Sequence, residues 1–191
     1  DIEKPLARHR FARRFGQQKV ILWGSSWGSI LGVHMAKARP DLFHAYLGTS
    51  QLVNFRENQR VSYARLLAVV GASDDPASMA VLHGVGEPPW TDPRSFGKVR
   101  RVIRAYEAKV TTPAPAAWWT PAAEYTTPKA QADYEAGEEY SFLNFVGLKG
   151  DGMASRVDLP ALGTDFAIPM FFVEGAQDLL ATPDVAQRYY D

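Results

Sequence analysis

The chain has no cysteine among its 191 residues. A disulfide, a thiolate metal site and a cysteine nucleophile are therefore excluded. It has no excess of charge either, because 21 Lys plus Arg balance 21 Asp plus Glu. No global field draws such a chain to nucleic acid or to an anionic membrane. No apolar run approaches the roughly 20 residues of a membrane span, and no signal peptide is visible. Histidine is scarce, with four copies at His9, His34, His44 and His83. No His/Asp/Glu cluster has metal-ligand spacing, and no glycine loop of the phosphate-cradling kind occurs. No cofactor and no metal is expected, and neither nucleic acid nor membrane as a partner. A cytoplasmic location is the expectation. Arg8, His9, Arg10, Arg13 and Arg14 form a local basic cluster, which reads as a solvated helix face rather than a nucleic-acid site.

An apolar content of 46% and a charged content of 22% are ordinary for a soluble globular chain, and the length suffices for one domain with a real core. The stretch around which the rest is organised is Lys19 to Arg39. Val20, Ile21, Leu22 and Trp23 are an apolar run rich in strand formers, suited to a strand buried on both faces of a parallel sheet. Gly24, Ser26 and Gly28 then spell G-x-S-x-G. Apolar residues recur next at helical spacing, through Ile30, Leu31, Val33, His34, Met35 and Ala38. Pro40 disfavours helical geometry in Arg39 and should end the helix there.

G-x-S-x-G alone arises by chance in about one chain in twenty of this length. Strand, motif and helix in that order is the context in which it means a nucleophile elbow. A serine hydroxyl is a weak nucleophile that needs a base in reach. A sharp turn would lift Ser26 Oγ clear of the sheet, and bulky side chains at positions 24 and 28 are expected to collide with neighbouring elements. The backbone N–H of Trp27 would point at a developing oxyanion as one of two donors. The helix N-terminus would add partial positive charge.

Along the chain, residues 1–18 read as an amphipathic helix with Ile2, Leu6, Phe11 and Phe15 on its apolar side. His44 to Leu47 read as a second strand, which with the first implies a right-handed parallel crossover. Phe55–Val70 is expected to be helical and broken at Gly71. A shorter helix restarts at Asp75-Pro76, and Pro93–Val110 is helical with Val99, Val102, Ile103 and Tyr106 on one face. Pro113 and Pro115 break the chain before Trp118 and Trp119. Thr127-Pro128 opens a helix to about Val146. Ile168–Val173 is the third strand, and Thr182-Pro183 caps a last helix. Asp178 follows the third strand, at the end where groups collect in open α/β sheets. Asp158 and Asp165 precede that strand and are weaker acids for the same role.

On Gly24-Ser25-Ser26-Trp27-Gly28-Ser29, Ala38-Arg39-Pro40-Asp41-Leu42-Phe43 and Phe172-Val173-Glu174-Gly175-Ala176-Gln177-Asp178, the chain resembles the α/β-hydrolase fold and its proline iminopeptidase-like branch. The resemblance implies an α/β architecture whose parallel sheet is present in part. Residues 1–50 and 160–191 would form the incomplete core and 51–159 a helical cap. It implies Ser26 as nucleophile and Asp178 as the acid that steadies a histidine. All four histidines precede Asp178. His34 reads as a packing residue, His44 enters the second strand at the far end, and His83 belongs to the cap, from which it could approach the pocket. The resemblance would place the triad histidine beyond Asp191 and the second oxyanion donor before Asp1. The chain is thus expected to be the central-to-late part of a larger hydrolase, with the first strand's edge open to a homo-oligomer or a complementing chain.

The activity implied is release of an N-terminal proline, or a related small residue, from a peptide through an acyl-enzyme on Ser26. Acidic and aromatic cap residues would hold the free ammonium and the ring. The candidates are Glu138, Glu139, Trp118 and Trp119, with Glu124, Glu135, Trp90 and Tyr140 behind them. Two alternatives stay open: an esterase or other small-molecule hydrolase of the same fold, and a non-catalytic binding protein or inactive fragment.

Overall fold

The computed structural model describes residue 14 and residues 16–191. Most of the helix expected over residues 1–18, and most of the basic cluster, lie outside the described residues, while residues 16–18 are not helical. The chain divides into two units. One takes in the residues up to Ser62 together with Val157–Asp191, and the other is Tyr63–Arg156.

In the first unit three strands pair in parallel, β1 (Val20–Ser25), β2 (Phe43–Thr49) and β3 (Met170–Val173), in the order β1-β2-β3. Trp23 faces Leu47 across the first pair, and Leu47 faces Phe171 across the second. Helix α1 (Trp27–Ala38) connects β1 to β2, and Arg39 closes it, its N–H donating to Met35 O at 2.9 Å. β3 begins two residues later than the apolar run suggested. Pro169 has no N–H to give the ladder, although its carbonyl accepts from Tyr46 N at 2.9 Å.

Strand alternation separates the two faces of the sheet. Tyr46 and Phe172 share one face and meet edge-on with centroids 6.3 Å apart. Ile30, Val33 and Ala36 of α1 are buried. The helix approaches β2 so closely at Gly32 that a Cβ there would lie 2.4 Å from the Tyr46 ring. Helix α6 (Pro183–Tyr190) adds Tyr189, whose ring stacks on Phe172. The opposite face carries Ile21 and Trp23, each 68% exposed, with Phe171 and Val173 also exposed. Among the described residues β1 is an edge strand. The chain leaves this unit along helix α2 (Phe55–Gly71), within which the division falls. It re-enters at Val157–Leu159, where Phe55 N donates to Val157 O at 3.2 Å and Leu159 N to Val53 O at 2.9 Å.

The second unit is helical. Helix α3 (Pro76–Val85) starts with Asp75 accepting from Ser78 N at 2.9 Å. Helix α4 (Pro93–Val110) buries Val99, Val102, Ile103 and Tyr106, the face its spacing predicted. Helix α5 (Pro128–Val146) opens on Thr127, whose hydroxyl accepts from Ala130 N at 3.1 Å. Tyr63 meets Trp90 edge-on and donates to Leu82 O at 2.8 Å. Among the described residues no helix is long and apolar enough to cross a membrane, and no group of three or more His, Cys, Asp or Glu could hold a metal ion.

Candidate active site

Parallel pairing brings the C-terminal ends of all three strands to one rim. Ser26 stands there between β1 and α1 with φ +50° and ψ −119°, a conformation L-residues rarely adopt. The turn is fixed on both sides. Ser26 N donates to Thr49 O at 3.0 Å, and Ser26 O accepts from Ser29 N at 2.9 Å and from the buried Ser29 hydroxyl. The residue is exposed, and its own hydroxyl makes no hydrogen bond among the described residues.

Gly24 explains how the turn closes. A Cβ on it would lie 2.5 Å from Gly28 O and 2.9 Å from the Ser29 Cα, both backbone atoms that cannot swing away. Gly28 differs from expectation. A Cβ there meets nothing within 4 Å, so the collision expected at position 28 does not occur among the described residues. The crowding at the elbow is between the Cβ position of Gly24 and the α1 backbone at Gly28 and Ser29, not at the Cβ position of Gly28. Trp27 is the first residue of α1, where an N–H points out of the helix with no carbonyl of its own helix to meet.

Asp178 follows β3, whose C-terminal end lies on the same rim, two strands from β1. Its backbone N–H closes a turn on Gly175 O at 3.0 Å. One carboxylate oxygen, Oδ1, accepts from Leu180 N at 2.8 Å and Ala181 N at 2.7 Å. Among the described residues the second oxygen accepts nothing. A carboxylate held by one oxygen and offering the other is suited to orienting an imidazole. Of the weaker acids, Asp158 Oδ1 accepts from Asn54 Nδ2 at 3.2 Å, whereas Asp165 accepts from Lys37 through its backbone carbonyl, not its carboxylate.

Sequence reasoning passed over Glu174. It directly follows β3, and its Oε1 accepts from Gln51 N at 2.9 Å, just after the chain leaves β2. Its Oε2 is buried and has no partner among the described residues. Burial pushes the carboxyl above the usual range; the Gln51 N–H pulls it back, and the charge of Asp178 pushes the same way as burial. Gln51 continues inward. Its Oε1 accepts from the Tyr46 hydroxyl at 2.7 Å, and Ser29 O lies 3.0 Å from the same hydroxyl. Tyr46 is fully buried, and burial, with Glu174 nearby, holds its hydroxyl firmly protonated. A run of polar contacts thus links the helix that carries Ser26 to the strand that Glu174 follows. Its signal in the sequence is a polar Gln and Glu directly after two strands.

Ser26, Trp27 and Asp178 fall in one unit, and Trp118, Trp119, Glu138 and Glu139 in the other, all four exposed there. Glu138 acts on Arg100. Burial and Arg104 lower that guanidinium, while Glu138 and Glu107 support its charge. His34 is exposed on α1 rather than packed. The buried side of that helix runs through Ser29, Ile30, Val33 and Ala36, and His34 stands about 100° round from Val33. His44 and His83 are exposed as well.

No protein-family model matches the chain. It is 23% identical over 190 residues to Probable aminopeptidase YbaC of Bacillus subtilis (strain 168), a match that covers 92% of this chain and 55% of that protein. The crystal structure of proline iminopeptidase from Mycobacterium smegmatis superposes with a TM-score of 0.61 at 18% identity, over 96% of this chain and 57% of that one. The chain therefore spans about half the length of these relatives. Parallel strands in this order, helices between them and that likeness together make the fold of the chain that of an α/β-hydrolase.

Proposed function

We propose that the chain carries the nucleophile and the acid of a serine hydrolase, with Ser26 as nucleophile, Asp178 as acid and the Trp27 N–H as one oxyanion donor. The backbone of Ser26 is the observation that carries this reading. A non-glycine residue at φ +50°, exposed, between a parallel strand and a helix, is costly and persists only where the surroundings impose it. It holds a hydroxyl above the sheet, on the rim where β3 ends ahead of Asp178.

In the proposed reaction Ser26 Oγ attacks a carbonyl carbon and its proton passes to an imidazole. The tetrahedral oxyanion is held by the Trp27 N–H and a second donor. The proton then goes to the leaving amine or alcohol, the C–N or C–O bond breaks, and an ester on Ser26 remains for water to hydrolyse. Neither His34 nor His44 is placed to serve as the base. His34 lies along α1 away from the elbow, and His44 is near the start of β2, the end of the strand opposite the rim.

The likeness to a probable aminopeptidase and to a proline iminopeptidase favours a peptide substrate that gives up an N-terminal proline or similar small residue. In this proposal Glu139 and the Trp118 and Trp119 rings recognise the free ammonium and the ring. Glu138 serves Arg100 as well. The full-length protein is assayed on proline-naphthylamide and on a short-chain ester, with a fluorophosphonate probe as active-site label. Proline release and labelling at Ser26, both lost in Ser26→Ala, are expected. Ester cleavage without proline release overturns the peptidase assignment in favour of an esterase. A native protein that takes no label and cleaves neither substrate overturns the hydrolase reading in favour of a non-catalytic protein.

A further inference from the structure

Two buried polar side chains of α2 have no role in the reaction as described above. Asn58 is 5% exposed and Ser62 is 4% exposed. They are four residues apart and so lie on one face of the helix, among buried Phe55, Gln59 and Leu66. A carboxamide or a hydroxyl buried without partners is destabilising, so both must be satisfied. Their side-chain partners lie in the loop from Leu179 to Thr182.

The pairing is specific by peptide plane. The Ser62 hydroxyl donates to the carbonyl of Leu179, which shares a plane with the N–H of Leu180. That N–H donates to Asp178 Oδ1 at 2.8 Å. Asn58 Nδ2 donates to the carbonyl of Leu180 at 2.6 Å, which shares a plane with the N–H of Ala181. That N–H donates to the same Asp178 oxygen at 2.7 Å. Each of the two amides that grip Asp178 is therefore held at its opposite end by one α2 side chain. Asn58 Oδ1 closes the arrangement, accepting from Thr182 N at 3.0 Å and from the Thr182 hydroxyl at 3.1 Å. Thr182 stands at the N-cap of α6 but makes no side-chain cap. Its hydroxyl goes to Asn58 instead, so the expected cap is given up in favour of the loop.

We propose that Asn58 and Ser62 are positioning residues for Asp178. They orient the two peptide dipoles that occupy Oδ1, and so decide that Oδ2 is the oxygen presented to the base. This inference rests on the hydrolase reading, with Asp178 as its acid. If either dipole turns, Oδ1 is released, the carboxylate rotates about Cβ–Cγ, and the imidazole loses its partner. A misplacement of that kind costs roughly 10- to 100-fold in rate.

The test uses the full-length protein and the substrate it hydrolyses. Asn58→Leu and Ser62→Ala are expected to lower kcat by roughly 10- to 100-fold with KM little changed. They are also expected to move the acid limb of the kcat/KM–pH profile to lower pH, because an ill-placed carboxylate stabilises the imidazolium less. Ser62→Thr, which keeps the hydroxyl, should bring that limb back. A purely structural role would lower the melting temperature and leave the limb where it is. That outcome in an active wild-type background overturns the positioning role and leaves the hydrolase reading intact. If Asn58→Leu does not fold, Ser62→Ala and Ser62→Thr decide the matter by the same readout. A wild-type protein that neither hydrolyses nor takes the fluorophosphonate overturns the hydrolase reading, and this inference with it.

Discussion

Replacing Ser26 by glycine and by alanine separates the backbone strain at the elbow from the chemistry of the hydroxyl. Both changes remove Oγ, and Oγ makes no hydrogen bond among the described residues. Ser26→Ala should therefore leave stability within about 0.5 kcal/mol of wild type, as surface substitutions do. Ser26→Gly also relieves a backbone held at φ +50° and ψ −119°, a region that costs a side chain about 1–3 kcal/mol. Against this stands the greater freedom of glycine in the unfolded chain, about 0.5–1 kcal/mol. The net expectation is that Ser26→Gly is more stable than Ser26→Ala by roughly 0.5–2 kcal/mol. With a urea slope of about 2 kcal/mol per molar, the midpoint rises by roughly half a molar for each kcal/mol, with the slope unchanged. Equilibrium urea unfolding of the two variants is the assay, and neither should take the fluorophosphonate. If Ser26→Gly unfolds at or below the midpoint of Ser26→Ala, the elbow is not strained, and the main support for Ser26 as nucleophile is lost.

Much of the fold was legible because its signals are local. The run before Gly24 became β1, Pro40 ended α1, and the four proline-led helices α3, α4, α5 and α6 began where Pro76, Pro93, Pro128 and Pro183 stand. Such signals need only sequence neighbours and the fixed φ of proline. Burial on a single helix was less legible. His34 sits within an apolar spacing pattern yet is exposed, because α1 presents only the narrow stripe from Ser29 to Ala36 to the sheet. Gly28 was likewise misjudged. The motif names two glycines, but only the Cβ of Gly24 would meet backbone.

Of the proposed site, sequence points to the residues where motif and strand end coincide, Ser26 and Asp178, and is silent on what depends on pairing across the chain. Nothing local marks Asn58 as the partner of a loop more than a hundred residues away. The visible trace is two small polar residues, Asn58 and Ser62, interrupting an apolar face at i and i+4. Glu174 hid differently. A glutamate after a strand reads as solvated, and only the proximity of Gln51, delivered by β2, encloses it. Non-local register, not propensity, creates both arrangements.

Gly24→Ala and Gly28→Ala should shift stability in opposite directions. The first forces a Cβ to within 2.5 Å of Gly28 O and should cost about 1–3 kcal/mol. The second meets nothing within 4 Å, inside the first turn of α1, and should gain about 0.5–1 kcal/mol; denaturation midpoints of the pair check both signs. Glu174→Gln tests the buried carboxyl through pH. Its amide oxygen can still accept from Gln51 N, while the group can no longer ionise. Burial raises the native carboxyl above its ordinary value of 4.5, so the folded protein holds this proton more tightly than the unfolded chain. The resulting stabilisation is fully present below the unfolded value and is lost as pH rises through the native one. The stability gap between Glu174→Gln and wild type should therefore be smallest near pH 4, widen in favour of the variant as pH rises, and level off once the wild-type carboxyl has ionised. Urea midpoints of both proteins from pH 4 to pH 8 measure that gap. A gap that stays constant would mean that burial does not raise the Glu174 carboxyl, and one that narrows with pH would mean that the fold favours its ionised form and that Oε2 has a partner after all.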